Sequence, residues 1–352
     1  MRVKRLSALI LCLALALSLA ACGLIPGPSP SPDALSSDPP PSPAGEDRPV
    51  VNLTLLKGPT GVGAAKLLAD DEADATAIDY VPTICTENSE VVARLSNGDA
   101  DIAAIATNVA ANYFHKTDED IQLLAINTLG VLYILERGAE KTVRTVSDLS
   151  GRTLYATGQG ANPEYVLQYL LRANGLEPGE DVEVLWRTAD EISALMLTEE
   201  ADLCMLPVPA ATALQLKSAA SSSAEGHISP VIDLTEAWNE VTSSGTLAMG
   251  CVVARRAFVE EHPDLVDAFL EEYAASIAFV RDNPEEAAPL VAQFGITPNA
   301  AIAQAAIPAC NLVCITGRDA RNMIQGYYEV LAEADLTAIG GSIPNDAFYY
   351  IP

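Results

Sequence analysis

Apolar positions recur with two different periods along the folded part of the chain. The run VNLTLL (51–56) has the pattern of a strand, VGAAKLLADD (62–71) that of a helix, and ATAIDYV (75–81) that of a second strand. A helix follows in NSEVVARLSNG (88–98), which ends on a glycine, and a third strand in ADIAAIAT (100–107). Strands that alternate with helices in this way predict an α/β fold with a largely parallel sheet.

The same order of landmarks recurs further along the chain. GPTGVGAAKLL begins at Gly58 and GQGANPEYVLQYLL at Gly158, while Asp101 and Asp202 each follow a predicted helix and precede an apolar strand. Two landmarks repeated in one order predict two similar α/β lobes. Chance similarity between strands rich in small residues is the alternative interpretation.

Two long β-like runs mark where the chain changes lobe. INTLGVLYILERG (126–138) and SSGTLAMGCVVARR (243–256) are each long enough to leave one sheet and enter another. We therefore expect the first lobe to contain residues 50–130 and 247–352, and the second lobe to contain residues 131–246.

The N-terminus has the features of an export signal. Three basic residues precede a short apolar run, and residues 1–21 end in small side chains before Cys22. This ending resembles the lipobox of bacterial lipoproteins, which implies cleavage before Cys22, its diacylation and an extracytoplasmic protein anchored to the membrane. An ordinary signal peptide with an incidental cysteine is the alternative. Residues 22–49, rich in Pro and Ser, are predicted to be an extended linker.

Charge and composition argue against several functions. The formal charge is −27, and removal of the signal takes away only positive charges. A chain this acidic repels nucleic acid, so we expect no nucleic-acid partner. The three histidines are scattered and none lies near a cysteine pair, so we expect no metal site and no cofactor. A disulfide between Cys310 and Cys314 depends on whether the backbone brings them together.

The turns after the strands are the candidate binding elements. In an open α/β sheet, ligands bind beyond the carboxyl ends of the strands, where helices begin. The segment Gly158–Ala161 is such a turn, and Asn162 and Pro163 are suited to the cap and the first residue of the next helix. Unpaired N–H groups there favour a carboxylate, sulfonate or phosphate oxygen. Pro163 replaces the third glycine of a dinucleotide-binding turn, which argues against a nucleotide.

The first lobe has matching positions. The turn Lys57-Gly58-Pro59-Thr60-Gly61 includes a cation that could meet an acidic group on a ligand, although a surface lysine is the commoner case. Thr107 and Asn108 end the third strand and begin a helix, so their side chains either face the same space or cap the helix. Pro207-Val208-Pro209 is the equivalent place in the second lobe.

Several segments together resemble a known family. They are NGDADIAAIATNVAA, INTLGVLYILERG, DLSGRTLYATGQGANPEYVLQYLL and ADLCMLPVPAATALQ. In their order and spacing they are similar to the substrate-binding lipoproteins of ABC transporters of the nitrate, sulfonate, taurine and thiamine-precursor type. The resemblance implies the type II periplasmic-binding fold, with two α/β lobes joined by two crossover segments and a ligand cleft between them.

The resemblance also implies ligand contacts and a function. The contacts would come from Gly58 to Gly61, from Thr107 and Asn108, and from Gln159, Gly160, Ala161 and Asn162. Family members often have L-P-E-P where this chain has Val208 in place of the acid, so a contact made by that glutamate is in doubt.

The implied function is capture of a small polar or anionic solute by a monomer that delivers it to an ABC permease and ATPase. We expect no catalysis. An enzyme on the same fold and a solute-sensing surface lipoprotein are the alternatives.

Overall fold

Eleven strands form two separate sheets in the computed structural model, which describes residues 48–220, 226–242 and 245–352. The strands of the first sheet are β1 (Val50–Leu56), β2 (Asp79–Cys85), β3 (Ile102–Ala106), β4 (Ile121–Thr128), β10 (Gly250–Arg255) and β11 (Leu312–Thr316). The strands of the second sheet are β5 (Leu132–Arg137), β6 (Thr153–Ala156), β7 (Glu183–Trp186), β8 (Leu203–Pro207) and β9 (Ile228–Asp233). We call the two sheets with their helices the first and second lobe.

The five strands of the second sheet have the same order as five of the six strands of the first. The first runs β11-β4-β10-β3-β1-β2 and the second β7-β6-β8-β5-β9. Strands β1, β2 and β3 correspond to β6, β7 and β8, because each trio has one strand paired in parallel with the other two. Beside each trio lies an antiparallel strand, β10 in the first sheet and β5 in the second, which is the first strand after the chain crosses from the other sheet. The predicted similarity of the two lobes is therefore present in the topology.

Helices connect the strands. They are α1 (Pro59–Val62), α2 (Ala65–Glu72), α3 (Asn88–Asn97), α4 (Thr107–Lys116), α5 (Asn162–Ala173), α6 (Ala189–Leu197), α7 (Ala210–Ala219), α8 (Leu234–Val241), α9 (Arg256–Glu261), α10 (Pro263–Asp282), α11 (Pro284–Gln293), α12 (Ala300–Ala306) and α13 (Gly317–Ala334). Single 3-10 turns occur at Val146–Leu149, Ile307–Ala309, Leu336–Ile339 and Asp346–Phe348. None of the helices within the described ranges has both the length and the apolar character needed to cross a bilayer.

Local sequence explains where several elements end. Helix α3 stops at Gly98, which adopts a left-handed conformation with φ of 77°, as the terminal glycine predicts. Strand β3 is buried along its whole length because neighbouring strands flank it on both sides, so the small apolar run IAAIA suits it.

Strand β2 begins at Asp79, four residues later than the sequence pattern predicts. The expected start is wrong because Asp74 has φ of 55° and the Thr76 hydroxyl donates to the Ile78 carbonyl, which makes a turn there.

The chain passes between the sheets at two places. Strand β4 ends at Thr128 and β5 begins at Leu132 in the other sheet, and the return runs from α8 to β10. Both predicted long strands are shorter than expected, because residues around 129–131 and 245–249 make backbone hydrogen bonds outside the regular ladder of either sheet. The Met249 amide, for example, donates to the Thr128 carbonyl. The boundaries proposed for the lobes stay a prediction, since the folded residues cluster as one compact unit.

Matching ion pairs support the correspondence between the sheets. Asp101 immediately precedes β3 and pairs at 2.7 Å with Arg255, which ends the antiparallel strand β10. Asp202 immediately precedes β8 and pairs at 2.8 Å with Arg137, which ends the antiparallel strand β5. The aspartates that indicate a repeat in the sequence thus make equivalent contacts in the two lobes.

Candidate functional site

The candidate residues of the first lobe occupy the carboxyl ends of β1 and β3. Gly58 follows β1 with φ of 106°, and Pro59 starts the short helix α1. A side chain at Gly61 would approach the Leu56 carbonyl oxygen to 2.6 Å, so the chain needs glycine there. Thr60 is buried, and its carbonyl accepts from Asn127 Nδ2 at 3.0 Å. Lys57 is exposed at the edge of this turn.

Thr107 and Asn108 begin helix α4 and are both fully buried. Neither side chain caps the helix. The Thr107 hydroxyl donates instead to the Ala248 carbonyl at 2.5 Å, and the Thr107 carbonyl accepts from the Tyr328 hydroxyl at 2.7 Å. The capping alternative for these two residues is therefore wrong. Both side chains instead contact residues of the second lobe, Asn162 and Gly160.

The turn after β6 places the second set of candidates. Gly158 and Gly160 have φ of 89° and 76°, which allow the chain to turn sharply before α5. Gln159 and Gly160 are exposed, whereas Ala161 and Asn162 are buried. Asn162 is the first residue of α5 and its side chain does not cap the helix, in contrast to the expectation from sequence.

Asn162 joins the two lobes. Its side-chain amide donates to Thr107 Oγ1 at 2.9 Å and to the Met249 carbonyl at 2.7 Å, both in the first lobe. Its Oδ1 atom accepts from the hydroxyl of Tyr327, in α13, at 3.0 Å. Nearby, Asn108 Nδ2 lies 3.4 Å from the Gly160 carbonyl oxygen of the second lobe. We call these five residues that meet between the lobes, Thr107, Asn108, Gly160, Asn162 and Tyr327, the seam.

The seam leaves one acceptor unused. Asn108 Nδ2 points at two carbonyl oxygens, those of Gly160 and Ala338, which fixes the orientation of the amide. Its Oδ1 atom is then buried without a hydrogen-bond donor among the described residues. A buried polar atom without a partner costs about 1–3 kcal/mol, so this acceptor is a destabilising feature that a bound molecule could relieve.

The glycine turn offers an anion fewer free N–H groups than its sequence predicts. The Gly160 N–H, one of the groups expected to hold an anion, donates at 2.7 Å to the carboxylate of Glu164 in the first turn of α5. The Ala161 N–H donates to the Gly158 carbonyl. Two donors of the turn are therefore already engaged by the protein.

The candidate residues do not all come together. The seam contains Thr107, Asn108, Gly160 and Asn162. Thr60 lies outside it, beside Gly250, where an added side chain would approach both Thr60 and Asn127. Val208 is buried at the end of β8 and its N–H donates to the Val131 carbonyl. No hydrogen bond found among the described residues links the Val208 or Lys57 side chain to the seam.

Two aromatic residues of the seam region could not be predicted from the sequence. Tyr327 and Tyr328 are fully buried in α13, and burial raises the pKa of both hydroxyls, so they stay protonated donors at neutral pH. Two adjacent tyrosines in an amphipathic helix were the only available signal. Tyr80 lies elsewhere in the first lobe, where it contacts Phe269 and donates to Glu272.

The cysteines of the folded region are all free thiols, including Cys310 and Cys314. Burial raises the pKa of Cys204 and of Cys310 to about 12 and that of Cys314 to about 11. The thiolate is the nucleophilic form of cysteine, so these groups are poor nucleophiles at neutral pH. Within the part of the chain that is described, no three His, Cys, Asp or Glu side chains group as metal ligands would.

Two surface depressions lie away from the seam. One, of about 350 Å³, is lined by charged side chains including Glu136 and Arg152 at the opposite end of the second sheet. The other, of about 190 Å³, lies between α5 and β7 beside Trp186.

Solved structures of known proteins share this architecture. An ABC transporter protein from Parabacteroides distasonis is 21% identical with a TM-score of 0.69, and the match covers 86% of this chain and 98% of that one. The aliphatic sulphonate binding protein SsuA from Escherichia coli is 15% identical with a TM-score of 0.67, covering 86% and 92%. SsuA from Xanthomonas axonopodis pv. citri, bound to MOPS, is 16% identical with a TM-score of 0.62, covering 86% and 96%.

These likenesses and the strand order define the class of the fold. The chain has the type II periplasmic-binding fold, with two α/β lobes joined by crossover segments, which confirms the predicted fold class. The family model described as NMT1/THI5 like matches residues 87–287, more than half of the chain. The chain therefore belongs to the NMT1/THI5-like family, as the resemblance in the sequence implied. No curated protein matches it in sequence.

Proposed function

We propose that this protein is an extracytoplasmic solute-binding lipoprotein of an ABC importer. A small polar solute binds between the two lobes, near the seam, and favours the closed arrangement. The closed protein, acting as a monomer, then delivers the solute to a membrane permease that a cytoplasmic ATPase drives. The solute leaves the protein chemically unchanged.

The hydrogen bond from Asn162 to Thr107 carries this proposal. It connects the start of α5 in one lobe to the start of α4 in the other, at the carboxyl ends of β6 and β3. Open α/β sheets bind ligands at this edge. Thr107 and Asn162 contact each other across the two lobes. When a molecule lies between the lobes, each side chain can contact that molecule, so one solute can bridge both lobes.

Closure follows from the difference in affinity between the two states. A solute shifts the lobes toward the closed arrangement only by the amount its affinity for that arrangement exceeds its affinity for the open one. Buried donors and acceptors from both lobes, as in the seam, provide such a difference because they converge only when the lobes meet.

The names of similar structures support an import function. Two of them are sulfonate-binding proteins, and a third is an ABC transporter protein. The lipobox ending at Cys22 supports a membrane anchor; it lies outside the described residues.

Calorimetry with the purified protein tests the proposal. The panel consists of taurine, methanesulfonate, nitrate, 4-aminopyrimidine, and matched amides and acids. We expect at least one compound to bind with a stoichiometry of one and to bind more weakly to Asn162→Leu. An Asn174→Leu variant is the control, because Asn174 ends the same helix and its side chain bonds only the Leu170 carbonyl. If no compound of the panel binds, the proposal fails.

A further inference from the structure

The unused acceptor of Asn108 indicates what the solute must carry. Asn108 is 0% exposed, and its Nδ2 atom lies 3.3 Å from the Ala338 carbonyl oxygen and 3.4 Å from that of Gly160. Rotating the amide would place Oδ1 against two carbonyl oxygens, which repel it. The Oδ1 atom therefore stays an acceptor, and it lies at the start of α4 where the two lobes meet. Only an N–H or O–H group can satisfy it.

Glu164 opposes the binding of an anion at Gly160, the second-lobe residue that the Asn108 amide also contacts. Its carboxylate accepts from the Gly160 N–H at 2.7 Å and from Gln168 Nε2 at 3.2 Å. An anionic solute would have to displace this carboxylate from the amide or bind beside it. Both arrangements are unfavourable, because like charges in a partly buried site repel each other.

The remaining polar groups of the seam are uncharged. Thr107, Asn162 and Tyr327 bond each other and backbone carbonyl groups, and the hydrogen bonds found for them include no lysine, arginine or histidine within the described residues. Burying a charge without a countercharge is costly. Uncharged groups of this kind instead recognise amides, hydroxyls and amines.

We infer that the seam binds an uncharged solute that donates an N–H or O–H hydrogen bond to Asn108 Oδ1. The inference rests on the proposed function and narrows it, because it removes sulfonate and nitrate from the solutes considered and leaves neutral amides, amino-heterocycles and polyols. The similar SsuA structure that holds MOPS would then differ from this protein in ligand class although the fold is shared.

Charge-matched pairs of compounds test the inference by calorimetry. The pairs are nicotinamide with nicotinate, benzenesulfonamide with benzenesulfonate, and acetamide with acetate, together with 4-aminopyrimidine. We expect the neutral member of a binding pair, or 4-aminopyrimidine, to bind at least about tenfold more tightly than any anion tested. Its affinity should stay constant between low and high salt, because salt screens only charged partners.

Variants of Asn108 distinguish the binding of neutral compounds from the binding of anions. Asn108→Leu removes the acceptor and should weaken the neutral compound about tenfold or more. Asn108→Asp keeps an acceptor oxygen but sets its second oxygen against the Gly160 and Ala338 carbonyls, so it should also weaken the neutral compound and should weaken any anion still more. Asn112→Leu is the control, because Asn112 lies one turn further along α4 and donates to the same Ala338 carbonyl without taking part in the seam.

Each result has one meaning. If an acid binds more tightly than its amide, or if Asn108→Leu binds the neutral compound as the unmodified protein does, the inference is wrong while the proposed function stands. If neither the neutral nor the anionic compounds bind, the proposed function itself fails.

Discussion

Asp101 and Asp202 make equivalent ion pairs in the two lobes but differ in burial. The Asp101 side chain is 12% exposed and also accepts from the Asn52 backbone and side-chain N–H groups at 2.9 and 2.8 Å. The Asp202 side chain is 64% exposed, and Arg137, its partner, also pairs with Glu199. A buried pair broken on one side leaves its partners without acceptors, whereas an exposed pair contributes little.

This contrast predicts unequal effects of the same substitution. We expect Asp101→Asn to lower the free energy of unfolding by about 2 kcal/mol, because the amide cannot accept all the hydrogen bonds that the carboxylate accepts. Asp202→Asn should lower it by less than about 1 kcal/mol. Urea denaturation followed by circular dichroism measures both. Equal losses would mean that the two ion pairs contribute equally to stability despite their different burial.

At the scale of elements, the turn from β6 to α5 determines where Asn162 enters the seam. Gly158 has φ of 89°, and a side chain there would approach the Pro163 ring to 2.5 Å. Gly160 has φ of 76°, and a side chain there would meet no atom within 4 Å. Both glycines accept a left-handed conformation, but only Gly158 also lies against another side chain.

The two glycines therefore provide a matched test of the turn. We expect Gly160→Ala to cost about 1 kcal/mol through backbone strain alone. Gly158→Ala should cost about 1 kcal/mol more, because the new methyl group overlaps Pro163 and forces α5 to shift. Thermal denaturation compares the two variants with the unmodified protein. Equal losses at Gly158 and Gly160 would show that the Pro163 ring moves aside freely.

Elements with local signals could be predicted from the sequence. The glycines after β1 and β6 and the aspartates before β3 and β8 recur because each lobe repeats one strand–turn–helix plan, and this plan indicates the fold. The seam depends on contacts distant along the chain, such as that of Tyr327 with Asn162 over 165 positions. The hydrogen bond from the Gly160 N–H to Glu164 could not be predicted from the sequence either, since an acid in a first helical turn is common.

At the scale of the whole molecule, the proposed attachment to the membrane depends on Cys22. A protein diacylated at this cysteine should partition with membranes, because each buried methylene contributes about 0.8 kcal/mol. We expect bacterial cells fed an alkyne fatty acid to label the protein, and Cys22→Ser to abolish the label. Cys12→Ser is the control, since Cys12 lies inside the predicted signal. Labelling that survives Cys22→Ser would refute the anchor.

Hydrogen bonds of the seam hold the two lobes against each other, together with the packing of α5 on α13 and of α7 on α12. The Tyr327 hydroxyl belongs to the first lobe and donates to Asn162 of the second at 3.0 Å, whereas the adjacent Tyr328 hydroxyl donates within the first lobe to the Thr107 carbonyl at 2.7 Å. A net hydrogen bond contributes about 1 kcal/mol. Losing a hydrogen bond that forms only when the lobes meet therefore changes the ratio of closed to open molecules about fivefold.

The adjacent tyrosines allow this balance to be measured. We expect Tyr327→Phe, without solute, to increase the radius of gyration in small-angle X-ray scattering, because a larger fraction of molecules opens. Tyr328→Phe should lower the free energy of unfolding by about 1 kcal/mol, since it removes one buried hydrogen bond, without changing the radius of gyration. Should Tyr327→Phe scatter as the unmodified protein does, the Tyr327 hydroxyl does not hold the lobes together.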